Sequence, residues 1–220
     1  MSERENILAR IREALSVKAH ARGGTGLSTS AEQRHVMPSV GATSGEQFAL
    51  FARNAAELRA TFKLVKDSSE LTAELRALRD TEKWQRVATH RSPLAQTQAN
   101  GLSLPTIVTE EDYDKHELER CDVAISECDA LVAQTGTVLV TSRSAGGRAL
   151  SCLPPHHVVI ARRNQLVPDL PAAFALVKQR HGDTYPSMIS FITGPSRTGD
   201  IERILVLGAH GPKQLTILCL

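Results

Sequence analysis

The stretch from Phe62 to Thr109, FKLVKDSSELTAELRALRDTEKWQRVATHRSPLAQTQANGLSLPTIVT, decides the fold. Short apolar runs at Phe62 to Val65, Arg86 to Thr89 and Thr106 to Thr109 read as strands. Helix-forming segments at Ser68 to Leu78 and Pro93 to Ala99 separate them. Strands alternating with helices predict parallel pairing, because a parallel neighbour needs a crossover long enough to hold a helix. The expected class is therefore α/β, with an open, mostly parallel sheet flanked by helices.

Upstream, about Gly45 to Ala60 reads as a helix with Phe48, Phe51, Ala52, Ala55 and Leu58 on one face. Residues 2 to 15 form another predicted helix: Ser2 and Glu5 have capping-box spacing, and Ile7, Ile11 and Leu15 make a narrow apolar stripe beside Leu8. That stripe suits packing on its own domain or on a second copy of the chain in a homo-oligomer, and the sequence does not choose. Between Ala19 and Gly45 periodicity gives way to Gly, Ser and Thr. The expected organisation is an amphipathic N-terminal helical arm over 1–20, a linker over 21–45 and an α/β domain over 46–220.

Downstream, the acidic segment Glu110 to Arg120 reads as a solvated turn or short helix. Beyond Cys121 come closely spaced apolar runs at Val123 to Ile125, Ala130 to Ala133, Val138 to Val140 and Val158 to Ala161. A helix at Pro171 to Lys178 and strands at Met188 to Thr193, Ile204 to Leu207 and Leu215 to Cys219 follow.

Composition removes several function classes. Of the 220 residues 41% are hydrophobic and 23% charged, as expected of an ordinary globular chain. A net charge of +2 with five Phe, two Tyr and one Trp gives neither the basic surface nor the stacking rings that nucleic acid requires. No apolar run approaches the roughly 20 residues of a membrane span, and the charged opening MSERENILARIREAL is unsuited to a secretory signal. Cys121, Cys128, Cys152 and Cys219 form no C-x-x-C pair, so neither zinc nor an iron–sulfur cluster is expected, and reduced thiols fit a cytoplasmic setting.

Three segments could carry chemistry. Gln134-Thr135-Gly136-Thr137 offers two hydroxyls and backbone amides around a glycine, equipment for an anion, although by itself it reads equally as a kink between strands. Ser142 to Pro155, SRSAGGRALSCLPP, could open a short helix beside Arg148, with Ser151 and Cys152 following; His156 and His157 come next, and only one of two strand neighbours can face a cleft. Ile192 to Glu202, ITGPSRTGDIE, leaves a strand for a loop bearing Gly194, Ser196, Thr198 and Asp200, where an open sheet can form a ligand crevice. His210-Gly211-Pro212 makes a turn with one titratable ring. Asp200 and His210 are the weak candidates for acid–base work. No G-x-G-x-x-G, P-loop lysine or G-x-S-x-G elbow occurs, which disfavours dinucleotide, P-loop and serine-hydrolase readings. No bound cofactor is expected.

Taken together, DALVAQTGT (129 to 137), GRALSCLPPHH (147 to 157), ITGPSRTGDIE (192 to 202) and GAHGP (208 to 212) resemble the LUD-domain family, whose members include the lactate utilisation protein C, or YkgG-like, group. The resemblance is strong over about 122 to 219 and weak before it. It implies a ribose-phosphate isomerase and CoA-transferase-like α/β fold and a part in oxidising L-lactate to pyruvate. It implies a subunit without its own cluster, working beside iron–sulfur partner subunits. It implies that a small anionic ligand is bound by Gln134, Thr135, Gly136, Thr137, Arg148, Ser151, His157, Gly194, Ser196 and Thr198. The family's usual A-E-T-G-T reads A-Q-T-G-T here, and Gln134 cannot act as a carboxylate base or nucleophile. Two other readings stay open: a stand-alone enzyme on a sugar phosphate, CoA thioester or folate-like substrate, and a non-catalytic interaction module.

Overall fold

The computed structural model describes residues 3–16, 39–109, 113–198, 206–208 and 210–220, in two compact units divided between Pro38 and Ser39. In the first unit, α1 spans Glu3–Ser16 and leaves Ile7 and Ile11 52% and 49% exposed. The second unit holds the remaining elements, and most of the expected linker lies outside the described residues.

The second unit opens with α2 (Ser44–Glu57), started by a capping box in which Thr43 accepts from the Glu46 amide while the Glu46 carboxylate accepts from the Thr43 amide. Those hydrogen bonds hold the exposed Glu46 carboxyl below its ordinary value. There follow β1 (Thr61–Leu64), α3 (Ser68–Glu82), β2 (Val87–His90), α4 (Pro93–Asn100), β3 (Thr106–Thr109), α5 (Lys115–Glu119) and β4 (Val123–Glu127). Asp67 caps α3 by accepting from Ser69 and Glu70 amides, each at 2.9 Å. The chain continues through β5 (Ala130–Val132), a 3-10 turn (Ala133–Thr135), β6 (Thr137–Thr141), α6 (Arg148–Cys152), β7 (His156–Ala161) and β8 (Leu166–Val167). Then come α7 (Leu170–His181), β9 (Ile189–Ile192), β10 (Arg197–Thr198), β11 (Val206–Leu207) and β12 (Gln214–Cys219).

Six strands form a wholly parallel sheet in the order β1-β12-β7-β4-β2-β3. Its inner strands are buried on both faces, which explains their near-continuous apolar runs. Alternate residues of β7 go to opposite sides. Val158 and Ile160 join Leu71 and Leu75 of α3 and Ala95 and Ala99 of α4, while Val159 and Ala161 join Phe48, Phe51 and Ala55 of α2. The open parallel sheet flanked by helices is thus the architecture read from the sequence.

One feature is additional. The segments Ala130–Val132, Thr137–Thr141, Leu166–Val167 and Ile189–Ile192 build a second sheet, β8-β5-β6-β9, in which β6 lies antiparallel to β5 and β9. Leu131 and Val138 of this sheet pack in the α2 cluster, and Ala130, Val132 and Leu139 pack with Ala173 and Val177 of α7. The short connection between β5 and β6 cannot make a parallel crossover, so a tight antiparallel return is the remaining geometry.

Candidate functional site

A cleft of about 230 Å³ opens where the two sheets meet. Ser190 and Ile192 of β9 form one wall, and His157 of β7 with Leu215 of β12 form another. Ser151 and Cys152 of α6, the Thr193 to Ser196 loop and the His210 to Pro212 turn complete it. His157 and Leu215 stand at the amino ends of their parallel strands, whereas Ile192 leads out of the carboxyl end of β9. The Ile192 to Ser196 segment therefore borders the cleft, and the strand it leaves belongs to the second sheet.

Backbone hydrogen bonds hold these distant segments together. The Ser196 amide donates to Pro212 O at 2.9 Å, the Gly208 amide to Ser196 O at 2.9 Å, and the Lys213 amide to Pro155 O at 2.7 Å. Close approach requires glycine at Gly194, and at Gly211 a larger residue would press on its neighbour. A Cβ on Gly194, which has φ +86°, would stand 2.6 Å from Leu58 O, and one on Gly211 would stand 3.0 Å from Ser196 Cβ.

His157 is the most constrained polar group in the cleft. Its Nε2 lies 2.8 Å from Ser126 Oγ, and its Nδ1 is buried with no hydrogen-bond partner among the described residues. Burial pushes the ring's pKa down to about 3, and the neighbouring His156 and His90 act in the same direction, so the imidazole is neutral near pH 7. A neutral ring keeps one nitrogen as donor and one as acceptor; if Ser126 donates to Nε2, the proton sits on Nδ1. An orphaned buried polar atom costs roughly 1–3 kcal/mol. His156 points to the other face, with Nε2 2.9 Å from Thr216 Oγ1 and its ring edge-on to Trp84 at 5.2 Å. Only one of the two adjacent histidines faces the cleft, as strand geometry requires.

The cleft gathers Ser151, His157, Gly194, Ser196 and His210 from the sequence candidates. Asp200 and the Thr198 side chain lie outside the described residues. The Gln134 to Thr137 segment is not on the lining. Its 3-10 turn packs on α2, where Asn54 Nδ2 donates to Ala133 O at 3.0 Å and Gln134 O at 2.9 Å. The Gln134 amide donates to Pro168 O at 3.0 Å, Thr135 Oγ1 is buried without a hydrogen-bond partner among the described residues, and Gly136 abuts Ala55. Thr137 alone reaches toward the cleft, with Oγ1 2.9 Å from Thr193 Oγ1. Arg148 is exposed at the start of α6, and its carbonyl accepts from Ser151 Oγ at 3.1 Å. Ser126 escaped the sequence reading, although a serine inside the buried apolar strand VAISE was a legible signal.

Cys152 is exposed on the cleft, whereas Cys121, Cys128 and Cys219 are buried. Burial raises all three of those thiols, Cys121 and Cys219 to about 11, which leaves them protonated and poorly nucleophilic. Among the described residues no group of three or more His, Cys, Asp or Glu could hold a metal ion. Among the same residues no helix is long and apolar enough to cross a membrane.

The family model described as LUD domain matches residues 1–220. The chain belongs to the LUD-domain family. Similar curated proteins are lactate utilization protein C of Geobacillus kaustophilus, 41% identical over 96 residues, and of Bacillus subtilis, 39% identical over 114. These stretches cover 43% and 49% of this chain and 40% and 48% of the relatives, so the match spans less than half the length of either. A crystal structure of a DUF162 family protein from Deinococcus radiodurans has the same fold, with a TM-score of 0.63 at 20% identity over 81% of this chain and 99% of that one. In this LUD chain the family-like motifs fall into two groups: the segments after residue 147 shape the cleft, and the Gln134 to Thr137 turn braces the second sheet against α2.

Proposed function

We propose that this LUD-domain chain acts in lactate utilisation, as a subunit of the system that oxidises L-lactate to pyruvate. It binds a small organic anion in the cleft around His157. The observation that carries this reading is the convergence of four sequence-remote segments on one cleft, about a buried neutral imidazole whose Nδ1 has no hydrogen-bond partner among the described residues. The curated relatives are named for lactate utilization, which supports that setting.

The lining suits a 2-hydroxy or 2-oxo acid. Ile192, Pro195, Pro212 and Leu215 offer an apolar wall for a methyl group, and the hydroxyl of Ser196 can donate to a carboxylate. In this reading the chain supplies binding and orientation, while electrons pass to partner subunits that carry iron–sulfur clusters.

L-lactate or pyruvate at ten times its Kd should add about 1.4 kcal/mol, raising the melting midpoint by roughly 3–6 °C. Differential scanning fluorimetry on the wild type and on Ser196→Ala and His157→Gln checks this. The shift should shrink in both variants. Shifts of equal size in all three chains would remove the cleft from the reading.

The partner role is supported by α1, whose Ile7 and Ile11 are exposed on one helix. Ile7→Ser with Ile11→Ser should abolish copurification with the cluster-bearing subunits and leave the melting midpoint within about 1 °C, since exposed positions carry little stability. An intact complex with the double variant would refute α1 as the docking element.

A further inference from the structure

The second sheet ends in a strand with one free side. Among the described residues β9 pairs with β6 alone, so its far edge has no neighbouring strand. The register says which backbone groups point there. In an antiparallel pair alternate residues exchange hydrogen bonds with the opposite strand, and the residues between them point away from it. The Ser142 amide donates to Met188 O at 3.0 Å, and the same alternation makes Val140 with Ser190 and Val138 with Ile192 the bonded pairs. Leu139 accordingly turns its carbonyl from β9 to the other side, where it accepts the Asp129 amide at 2.8 Å. Ile189 and Phe191 therefore direct N–H and C=O out of the sheet edge, and no other strand or side chain among the described residues bonds to them.

Free edges in native sheets are blunted by charge, proline or a bulge. The β1 edge of the six-stranded sheet follows that rule, with Lys63 paired to Glu74 at 2.5 Å. The β9 edge does not. It reads Ile-Ser-Phe-Ile, with neither a charge nor a proline. On the face away from the cleft, Phe191 meets Phe174 of α7 with ring centroids 5.0 Å apart, and Phe174 and Ile189 are 57% and 37% exposed. An apolar stripe beside unpaired backbone is the equipment of strand addition.

We propose that β9 is a self-association edge, which pairs antiparallel with β9 of a second copy about a two-fold axis and joins two four-stranded sheets into one. The strand is its own complement in this arrangement. With Ser190 opposite Ser190 of the second copy on the axis, Ile189 of each copy falls opposite Phe191 of the other. Those are the residues whose N–H and C=O groups are free, so each such pair exchanges both of its hydrogen bonds. Their side chains make aromatic and β-branched pairs on one face, a favoured cross-strand combination, beside Phe174. No like charges meet, because the strand has none. An isologous contact also closes on itself, which protects an uncharged edge from open-ended aggregation.

The pairing bears on the cleft as well. Ser190 and Ile192 line it from the opposite face of β9. Across the axis, Ser190 of the second copy would stand about 4.5 Å away between Cα atoms, as in any pair that is not hydrogen-bonded. Each copy thus extends the lining of the other's cleft.

The test is sedimentation velocity of the full chain from about 1 to 200 µM, the range suited to an interface smaller than the standard size, with amide hydrogen exchange at both ends of it. The mass should rise from one copy toward two. The Ile189 and Phe191 amides, which β6 leaves unbonded, should exchange at least about tenfold more slowly at the high concentration. Ile189→Lys, at an exposed position, should keep the fold and raise the dimer dissociation constant more than about tenfold. Ile7→Ser with Ile11→Ser should leave that constant unchanged. The exchange comparison decides alone should Ile189→Lys fold poorly. A single copy throughout the range, a dimer that survives in folded Ile189→Lys or is lost with the α1 variant, or exchange at Ile189 and Phe191 that ignores concentration would each overturn the proposal. Failure here leaves the lactate reading untouched, whereas Ser196→Ala tests that reading without altering the β9 edge.

Discussion

Lowering the pH from 7 to 4 should remove roughly 6 kcal/mol of folding stability through His156 and His157, comparable to the whole stability of many domains. Burial, the leading cause for both rings, lowers their folded-state pKa values to about 4 and about 3, with Glu82 partly opposing the shift at His156. In the unfolded chain both return to near 6.5. Well above pH 6.5 neither state is protonated, and the rings add no proton-linked penalty. As pH falls below 6.5 the unfolded chain takes up protons that the folded chain refuses, so stability drops steadily until the folded-state values are reached. Urea midpoints measured from pH 7.5 to 4 check the slope. His157→Gln should flatten it whatever the absolute stability of that variant. A midpoint that stays level from pH 6.5 to 4 would mean that the rings protonate inside the fold and that the cleft wall at His157 is wet.

Gly136→Ala should destabilise the chain by about 3–4 kcal/mol, lowering the melting midpoint by roughly 10 °C. Gly136 sits at φ +61°, where a Cβ would stand 2.6 Å from the Ala55 amide nitrogen and 2.8 Å from Asn54 C. Both obstacles are backbone of α2, so no side-chain rotation relieves the contact. The left-handed backbone and the overpacking add, because α2 would have to leave a cluster that holds Phe48, Phe51 and Leu131. Thermal unfolding by circular dichroism reads the result. A fall below about 3 °C would show that the Gln134 to Thr137 turn is not pinned to α2, and would return that segment to consideration as a ligand loop.

These outcomes also separate what was legible in the residues from what was not. The strand at Thr106 to Thr109 has the bounds its β-branched run predicts, and the Pro93 helix begins at its proline behind a Ser92 cap. Local signals of this kind need no partner. The Gln134 to Thr137 segment shows the limit. Its glycine signals a special backbone angle, but whether the freed space admits an anion or a neighbouring helix depends on α2, far away in the chain. His157 was nameable as a candidate because neighbours on a strand face opposite ways. Which of the two histidines faces the cleft, and that Ser126 holds it, follows from the pairing of β4 with β7.

The sequence by itself determined the alternation of strands and helices, the parallel sheet, the motifs of the LUD-domain family and the apolar stripe of α1. Each rests on periodicity or spacing between near neighbours, which the chain carries before it folds. Tertiary contacts place Ala130–Val132, Thr137–Thr141, Leu166–Val167 and Ile189–Ile192 in a separate, partly antiparallel sheet and set the cleft at the seam of the two sheets. Such features depend on registers between residues remote in sequence. Those registers are selected by burying both faces of one sheet at once, a condition that no single segment can express.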